Sequence, residues 1–422
     1  MARQIRKVVV LGANGAMGAG SGEVFAAAGI ETTFLARTRD KAIEGQRRAE
    51  KLAKSTAISR FIRTGSYDED LARAVADADL VFEAVSEELA LKRVFFEKVE
   101  KLRRPDAIVA TVSSGLSIAT MAAVGGDSFA RHFLGIHFFN PPNVIVGCEL
   151  IPHAGTDPLV VADVTELLNE RLGRELVRTS DTPAFCGNRV GFRVLNECAQ
   201  LAEKHGAAYI DALLGPHTGR AMAPLATIDF VGWDVHQAIV DNVFANALDE
   251  AHAAFALPAY MKAKIAAGCL GDKTPDKGGF FNKSDKSASK DEGATKIEVP
   301  EVARKMKALH HVGRYSEAFD VFAEASGADA ELMRRVILGY VSYGLSRVGD
   351  VVETVADVDR IMGFGFNWAP PGVLVDTIGA RRTVALLEAA RLPVPRVLVD
   401  AAERNHRLFD ATQVDAGRFF HG

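Results

Sequence analysis

The stretch from Val8 to Gly20, VVVLGANGAMGAG, constrains the fold more than any other part of the chain. An apolar β-branched run breaks into glycines at Gly12, Gly15 and Gly18, then passes directly into a helical pattern. Glycines at such a junction let backbone N–H groups approach an anion, and the following helix turns its positive end toward it. A glycine triplet alone is a weak signal, but strand, loop and helix in that order start a dinucleotide-binding βαβ unit. Gly12, Gly15, Met17 and Gly18 are the expected cofactor contacts of this loop.

The rest of the first half keeps the alternation. Strands are expected at Lys7–Leu11, Thr32–Ala36, Asp79–Val85, Ala107–Val112, His132–Phe138, Val144–Ile151 and Glu175–Thr179, with helical patterns such as Ala90–Leu102 and Leu159–Leu172 between them. That order predicts an α/β Rossmann-type N-terminal domain, residues 1–182, with a mostly parallel doubly wound sheet. After DTPAF the strand signals stop, and Asp181 or Thr182 is placed to cap a helix with Pro183 in its first turn.

The helical half repeats itself. Asp211 and Asp359 each precede a glycine by four positions, and Pro224, Asp229 and Gly232 match Pro371, Asp376 and Gly379 in spacing. Matched punctuation of this kind marks a duplicated unit. Two related all-α domains are expected, 183–282 and 301–422, joined by a polar linker or surface loop at 283–300.

Composition narrows the function class. A net charge of −4 gives no general affinity for nucleic acid. Cys148, Cys186, Cys198 and Cys269 are widely spaced, which argues for free thiols in a reducing compartment and against a zinc site. No apolar run approaches a membrane span, and the N-terminal run is a strand, not a signal peptide. A cytoplasmic enzyme is the expectation.

Three polar residues fall at or just past strand ends: Glu87 after VFEAV, Ser114 after IVATV, and His137 in GIHFFNPP. In an open α/β sheet such positions converge on the ligand crevice. Neutral His137 can accept an alcohol proton as hydride leaves the same carbon. Glu149 on the next strand can bind the other ring nitrogen, and Ser114 can hydrogen-bond the substrate oxygen. At the end of the second strand, Ala36 stands where an acid would hold the ribose of NAD, with Arg37 beside it. A guanidinium suits the 2′-phosphate of NADP, so the cofactor is NAD with NADP an open alternative.

At these residues the chain resembles the L-3-hydroxyacyl-CoA dehydrogenase family, in the form with a duplicated C-terminal helical domain. GANGAMGAG, VFEAVSEELALK, ATVSSGLSI, GIHFFNPP, DTPAFCGNRV and LGDKTPDKGGFF carry the resemblance. It implies NAD(P)-dependent oxidation of a (3S)-3-hydroxyacyl-CoA, as in fatty acid β-oxidation, with His137 as general base and Glu149 orienting it. It implies that Ser114 contacts the substrate oxygen, that Asn188 polarises the substrate, and that Glu87 and Lys92 line the cofactor. It also implies coenzyme A held near Arg47, Lys51 and Lys54, within a basic stretch that includes Arg48, Arg60 and Arg63. The chain departs from the pattern with an extra residue between the first two glycines, at Ala36, at Val112-Ser113-Ser114 and at Ala184. Where short members pair their single helical unit across a dimer, a covalent second copy implies a monomer with an internal pseudo-dimer, or else a homodimer. Two other functions fit the same residues: a dehydrogenase of a free hydroxy or sugar acid, and a non-catalytic nucleotide-binding protein. The presence of both His137 and Glu149 weighs against the second.

Overall fold

Strand β1 (Lys7–Leu11) sends Val8 and Val10 to one face of a sheet and Val9 and Leu11 to the other, and all four are buried. A strand apolar on both faces needs cover on both, which helical crossovers supply. The structure, a computed structural model, describes residues 3–281, 298–409 and 416–420. It divides into two compact units, Met1–Phe185 and Cys186–Gly422. The expected linker at 283–300 lies mostly outside the described residues.

In the first unit β1 is followed by α1 (Ala16–Ala27), β2 (Glu31–Ala36), α2 (Arg39–Ala53), β3 (Ile62–Ser66), α3 (Tyr67–Asp77), β4 (Leu80–Glu83) and α4 (Leu89–Leu102). Then come β5 (Ile108–Thr111), α5 (Ile118–Ala122), α6 (Asp127–Arg131), β6 (Phe133–Phe138), β7 (Gly147–Pro152), α7 (Pro158–Glu166) and β8 (Glu175–Arg178). The eight strands form one sheet in the order β3-β2-β1-β4-β5-β6-β7-β8. Every pairing is parallel except β6 with β7. The chain winds outward in both directions from β1 and β4, the switch point where such a sheet opens a crevice. Leu11, Glu83, Thr111 and Gly135 stand level across four strands, so the residues just past them share the carboxyl-end edge.

Two expectations need correction. Strand β3 was not foreseen, because Ile62–Ser66 carries arginine and glycine; as an edge strand it pairs only with β2 and need not be apolar throughout. Arg63, expected near coenzyme A, lies on this strand 3.6 Å from Glu31. The strand expected from Val144 begins only at Gly147. Val144 and Ile145 donate back to the Pro141 carbonyl in a turn, and Val144 is exposed.

The second unit is helical, from α8 (Gly187–His205) to a helix at Arg396–Arg404, and no described helix is long and apolar enough to cross a membrane. The repeated residues do repeated work. Asp211 accepts from the N–H groups of Leu225 and Ala226, at the start of the helix Pro224–Val231. Asp359 accepts from Gly372 N–H, at the start of Pro371–Ile378. Asp229 receives the N–H groups of Phe280 and Phe281, as Asp376 receives those of Leu408 and Phe409. Gly232 and Gly379 take φ +99° and +97°, which favours glycine. Arg220 and Trp368, each nine residues after its aspartate, pair with one another in an antiparallel bridge. The buried Arg220 guanidinium lies 4.9 Å above the Trp368 ring.

Asp359 pays for its position. Burial pushes its carboxyl up to about 8, against the Gly372 N–H that favours the anion; burial likewise raises Asp211, to about 6. An acid whose folded pKa is raised holds a proton that the unfolded chain releases, so its contribution to stability is present at low pH and is lost as pH rises through the folded value. The melting temperature is therefore expected to fall between about pH 5 and pH 8, and Asp359→Asn to flatten that decline. Thermal melts of both proteins across that range check it; parallel slopes would refute the assignment.

Candidate active site

Strand β6 ends at Phe138, and β7 returns antiparallel in a register that sets His137 directly opposite Glu149. Opposed residues in such a pair project from the same face with Cβ atoms about 4.5–5.5 Å apart. The carboxylate thus meets the ring: Glu149 Oε2 lies 2.7 Å from His137 Nδ1. Both side chains are buried. Facing an ionised carboxylate, which can only accept, Nδ1 would be the ring nitrogen that donates. Phe139 and Phe185 flank the ring at centroid distances of 4.7 and 5.7 Å. Phe185 reaches it from a tight turn in which Ala184 and Phe185 take φ +60° and +54°. Left-handed backbone costs an L-residue about 1–2 kcal/mol, so the turn is maintained by its surroundings.

The chain leaves β6 through a cis Asn140–Pro141 bond. Pro142 then packs against α1, where a Cβ on Gly20 would come within 2.9 Å of its Cδ. The segment after the histidine is thereby seated on the helix that begins at the glycine loop. In that loop Gly12 has φ +80°, and a Cβ there would lie 2.4 Å from the Ala84 carbonyl oxygen. A Cβ on Gly18 would lie 2.2 Å from the Gly12 oxygen. Gly15 is the N-cap of α1, which has no side-chain cap and no acid in its first turn. An uncapped helix start without acids fits a dinucleotide pyrophosphate. Met17 packs half-buried against the core on one face of the sheet.

At the end of β2, Ala36 is buried. Arg39 is committed to Asp70 at 2.9 Å and to the Thr64 carbonyl, whereas Arg37 is exposed and makes no hydrogen bond or ion pair among the described residues. Tyr67 accepts from the Gly12 N–H at 2.9 Å. Burial raises its hydroxyl pKa, with the Gly12 bond and the nearby Arg37 charge acting the other way. On α2, Arg47 and Lys51 share one exposed face, and exposed Lys54 is the left-handed C-cap just past the helix; none of the three makes an ion pair among the described residues. Arg48 instead reaches the Asn14 carbonyl of the glycine loop.

Past β4 and β5 a network of polar side chains links the two loops. Lys92 is buried, with its ammonium 2.9 Å from both oxygens of Glu83 and 3.2 Å from Glu87. Its ammonium is thus held by the Glu83 carboxylate and by the loop after β4, through Glu87 and the Val85 carbonyl. Glu87 Oε1 accepts from Ser113 Oγ at 2.5 Å and from the Ser114 N–H at 2.8 Å, which ties the half-buried Ser114 to the loop after β4. Asp181 does not cap its own helix. It accepts from Ser117 Oγ and from the N–H groups of Ile118 and Ala119, capping α5 beside that serine turn. The helix expected from Pro183 starts at Gly187 because Ala184 and Phe185 are left-handed.

Asn188 is the second residue of α8, in the helical unit, and is buried. Arg189 beside it donates to the Tyr343 hydroxyl at 3.0 Å and to Asp249 at 2.8 Å, and Tyr343 donates to the same carboxylate. Sequence reasoning missed Glu83, Tyr67 and Phe185. Only Glu83 carried a signal, as an acid closing a wholly apolar strand nine positions before a lysine.

Two family models match the chain, the NAD binding domain of 3-hydroxyacyl-CoA dehydrogenase over residues 7–182 and its C-terminal domain over 185–280. A probable 3-hydroxyacyl-CoA dehydrogenase of Bacillus subtilis is 28% identical across 97% of this chain, which spans 55% of that relative's length. One from Deinococcus radiodurans is 35% identical, with 67% of this chain and 84% of the relative covered. The crystal structure of a 3-hydroxybutyryl-CoA dehydrogenase from Escherichia coli shares the fold, with a TM-score of 0.70 over 95% of this chain and 99% of that one at 22% identity. With both domain models matched in order along a dinucleotide-binding sheet, this chain belongs to the 3-hydroxyacyl-CoA dehydrogenase family.

Proposed function

We propose that the chain reversibly oxidises the hydroxyl of a (3S)-3-hydroxyacyl-CoA to the 3-ketone, in fatty acid β-oxidation or related acyl-CoA metabolism. The observation that carries this reading is the buried His137–Glu149 pair at the carboxyl edge of a dinucleotide-binding sheet. His137 Nε2 takes the hydroxyl proton, and Glu149 stabilises the imidazolium that forms. A base of this kind contributes about 10²–10⁴-fold in rate. Ser114 holds the substrate oxygen, and Asn188 keeps the polarising role that the family resemblance gives it. Gly12, Gly15 and Gly18 seat the pyrophosphate at the start of α1, and the bound nicotinamide supplies the hydride acceptor. Arg47, Lys51 and Lys54 offer exposed cations for the phosphates of coenzyme A.

Cofactor choice is proposed to be loose. With Ala36 in place of an acid at the end of β2, the uncommitted Arg37 can bind a 2′-phosphate. The self-pairing of Arg220 with Trp368 supports a helical unit that completes its own twofold within one chain. A native mass of one chain per particle would agree with this, and a stable dimer would not.

One set of assays tests the reaction. Acetoacetyl-CoA, but not free acetoacetate, should drive oxidation of both NADH and NADPH. His137→Gln should lower kcat by about 10²-fold or more with cofactor binding retained. Arg37→Ala should lower kcat/KM for NADPH by about tenfold and leave NADH nearly unchanged. Turnover of the free acid would favour the hydroxy-acid alternative, and unchanged turnover in His137→Gln would remove the mechanism.

A further inference from the structure

The first unit buries a second charged cluster that the proposed proton transfer does not use. Glu83, wholly buried at the end of β4, accepts from Lys92 Nζ with both oxygens at 2.9 Å, from Thr111 Oγ1 at 2.6 Å and from the Val85 N–H at 2.7 Å. Withdrawing two such charges from water is costly, and an apolar pair of similar volume would fill the space without that penalty. The cluster does something an apolar pair cannot. The Lys92 ammonium also lies 3.2 Å from Oε2 of the exposed Glu87, whose Oε1 accepts from Ser113 Oγ and Ser114 N–H. Burial works against the Lys92 charge, but the Glu83 and Glu87 carboxylates outweigh it and hold its pKa above the ordinary value. The ammonium therefore persists through neutral pH.

We infer that Glu83 is a positioning residue: through Lys92 it sets the Glu87 carboxylate, and through Glu87 the Ser113–Ser114 turn. The loop after β4, at the cofactor, and the loop after β5, at the substrate oxygen, are thereby registered to each other. Thr111, level with Glu83 in the sheet, ties the same carboxylate to the strand that leads into the serine turn. The inference rests on the dehydrogenase reading for the identity of what the two loops hold.

The test is Glu83→Gln in the full chain, measured for folding, for cofactor stoichiometry and affinity, and for turnover of acetoacetyl-CoA. A misplacement of about 1 Å can cost about 10²-fold, so kcat per cofactor site should fall about 10- to 100-fold. Cofactor dissociation constants should rise several-fold, with one site per chain retained. An ion pair that only staples α4 to the sheet would lower the melting temperature and the number of sites, yet leave kcat per site and cofactor affinity as in the wild type; that result overturns the inference. Glu83→Gln with Lys92→Met removes both buried charges and decides the matter if the single variant does not fold. Its stability should approach that of the wild type while turnover stays low, because Glu87 has lost its ammonium; wild-type turnover in this pair also overturns the inference. A wild-type protein inactive on acetoacetyl-CoA with either cofactor would defeat the dehydrogenase reading. The inference would then stand or fall on cofactor affinity alone, where an unchanged value in Glu83→Gln defeats it.

Discussion

The register of one antiparallel strand pair governs the chemistry available to this chain. Because β7 returns against β6 with Glu149 opposite His137, a carboxylate and an imidazole leave the sheet side by side. Their neighbours Ile136, Phe138, Cys148 and Leu150 turn to the opposite face and join its apolar core. A slip of one residue would put Glu149 into that core and leave the histidine without its anion. The same apolar contacts that fold the sheet thus enforce the pairing, which is how a fully buried carboxylate is tolerated.

The remaining parts of the site are arranged around that edge. Leu11, Glu83, Thr111 and Gly135 form a row across β1, β4, β5 and β6, and the glycine loop, the Glu87 loop and the serine turn all leave the sheet just past it. These loops are held by polar bonds, not left to vary. Tyr67 receives Gly12, Glu87 receives Ser113 and Ser114, and Asp181 caps the short helix after the serine turn. Loop residues bonded in this way can hold reacting groups to the precision that hydride and proton transfer demand.

What was legible in the sequence followed from local chemistry. The glycine loop is recognisable because only glycine tolerates the Gly12 backbone beside Ala84, and the central strands because burial on both faces makes them apolar throughout. The repeat was legible because each Asp–Pro–Asp–Gly set performs the same capping and turning tasks in both copies. What was not legible depended on distant partners. An edge strand such as β3 carries no apolar signature, and Val144–Val146 reads as strand although the chain turns there. Asp181 looked like the cap of the helix that follows it, but the helix it caps lies more than sixty residues earlier. The ion pairs of Lys92 with Glu83 and Glu87 likewise join residues whose pairing the local sequence does not announce.

The central claim is that Glu149 acts behind His137, fixing the tautomer and stabilising the charged ring. Glu149→Gln is the most direct test, since the amide keeps the size of the side chain and removes only the charge. Single-turnover reduction of acetoacetyl-CoA, measured in a variant shown to be folded and to bind cofactor as tightly as the wild type, should slow by about 10²-fold or more. A variant that turns over at the wild-type rate would show that the carboxylate is structural and that the chemistry lies elsewhere.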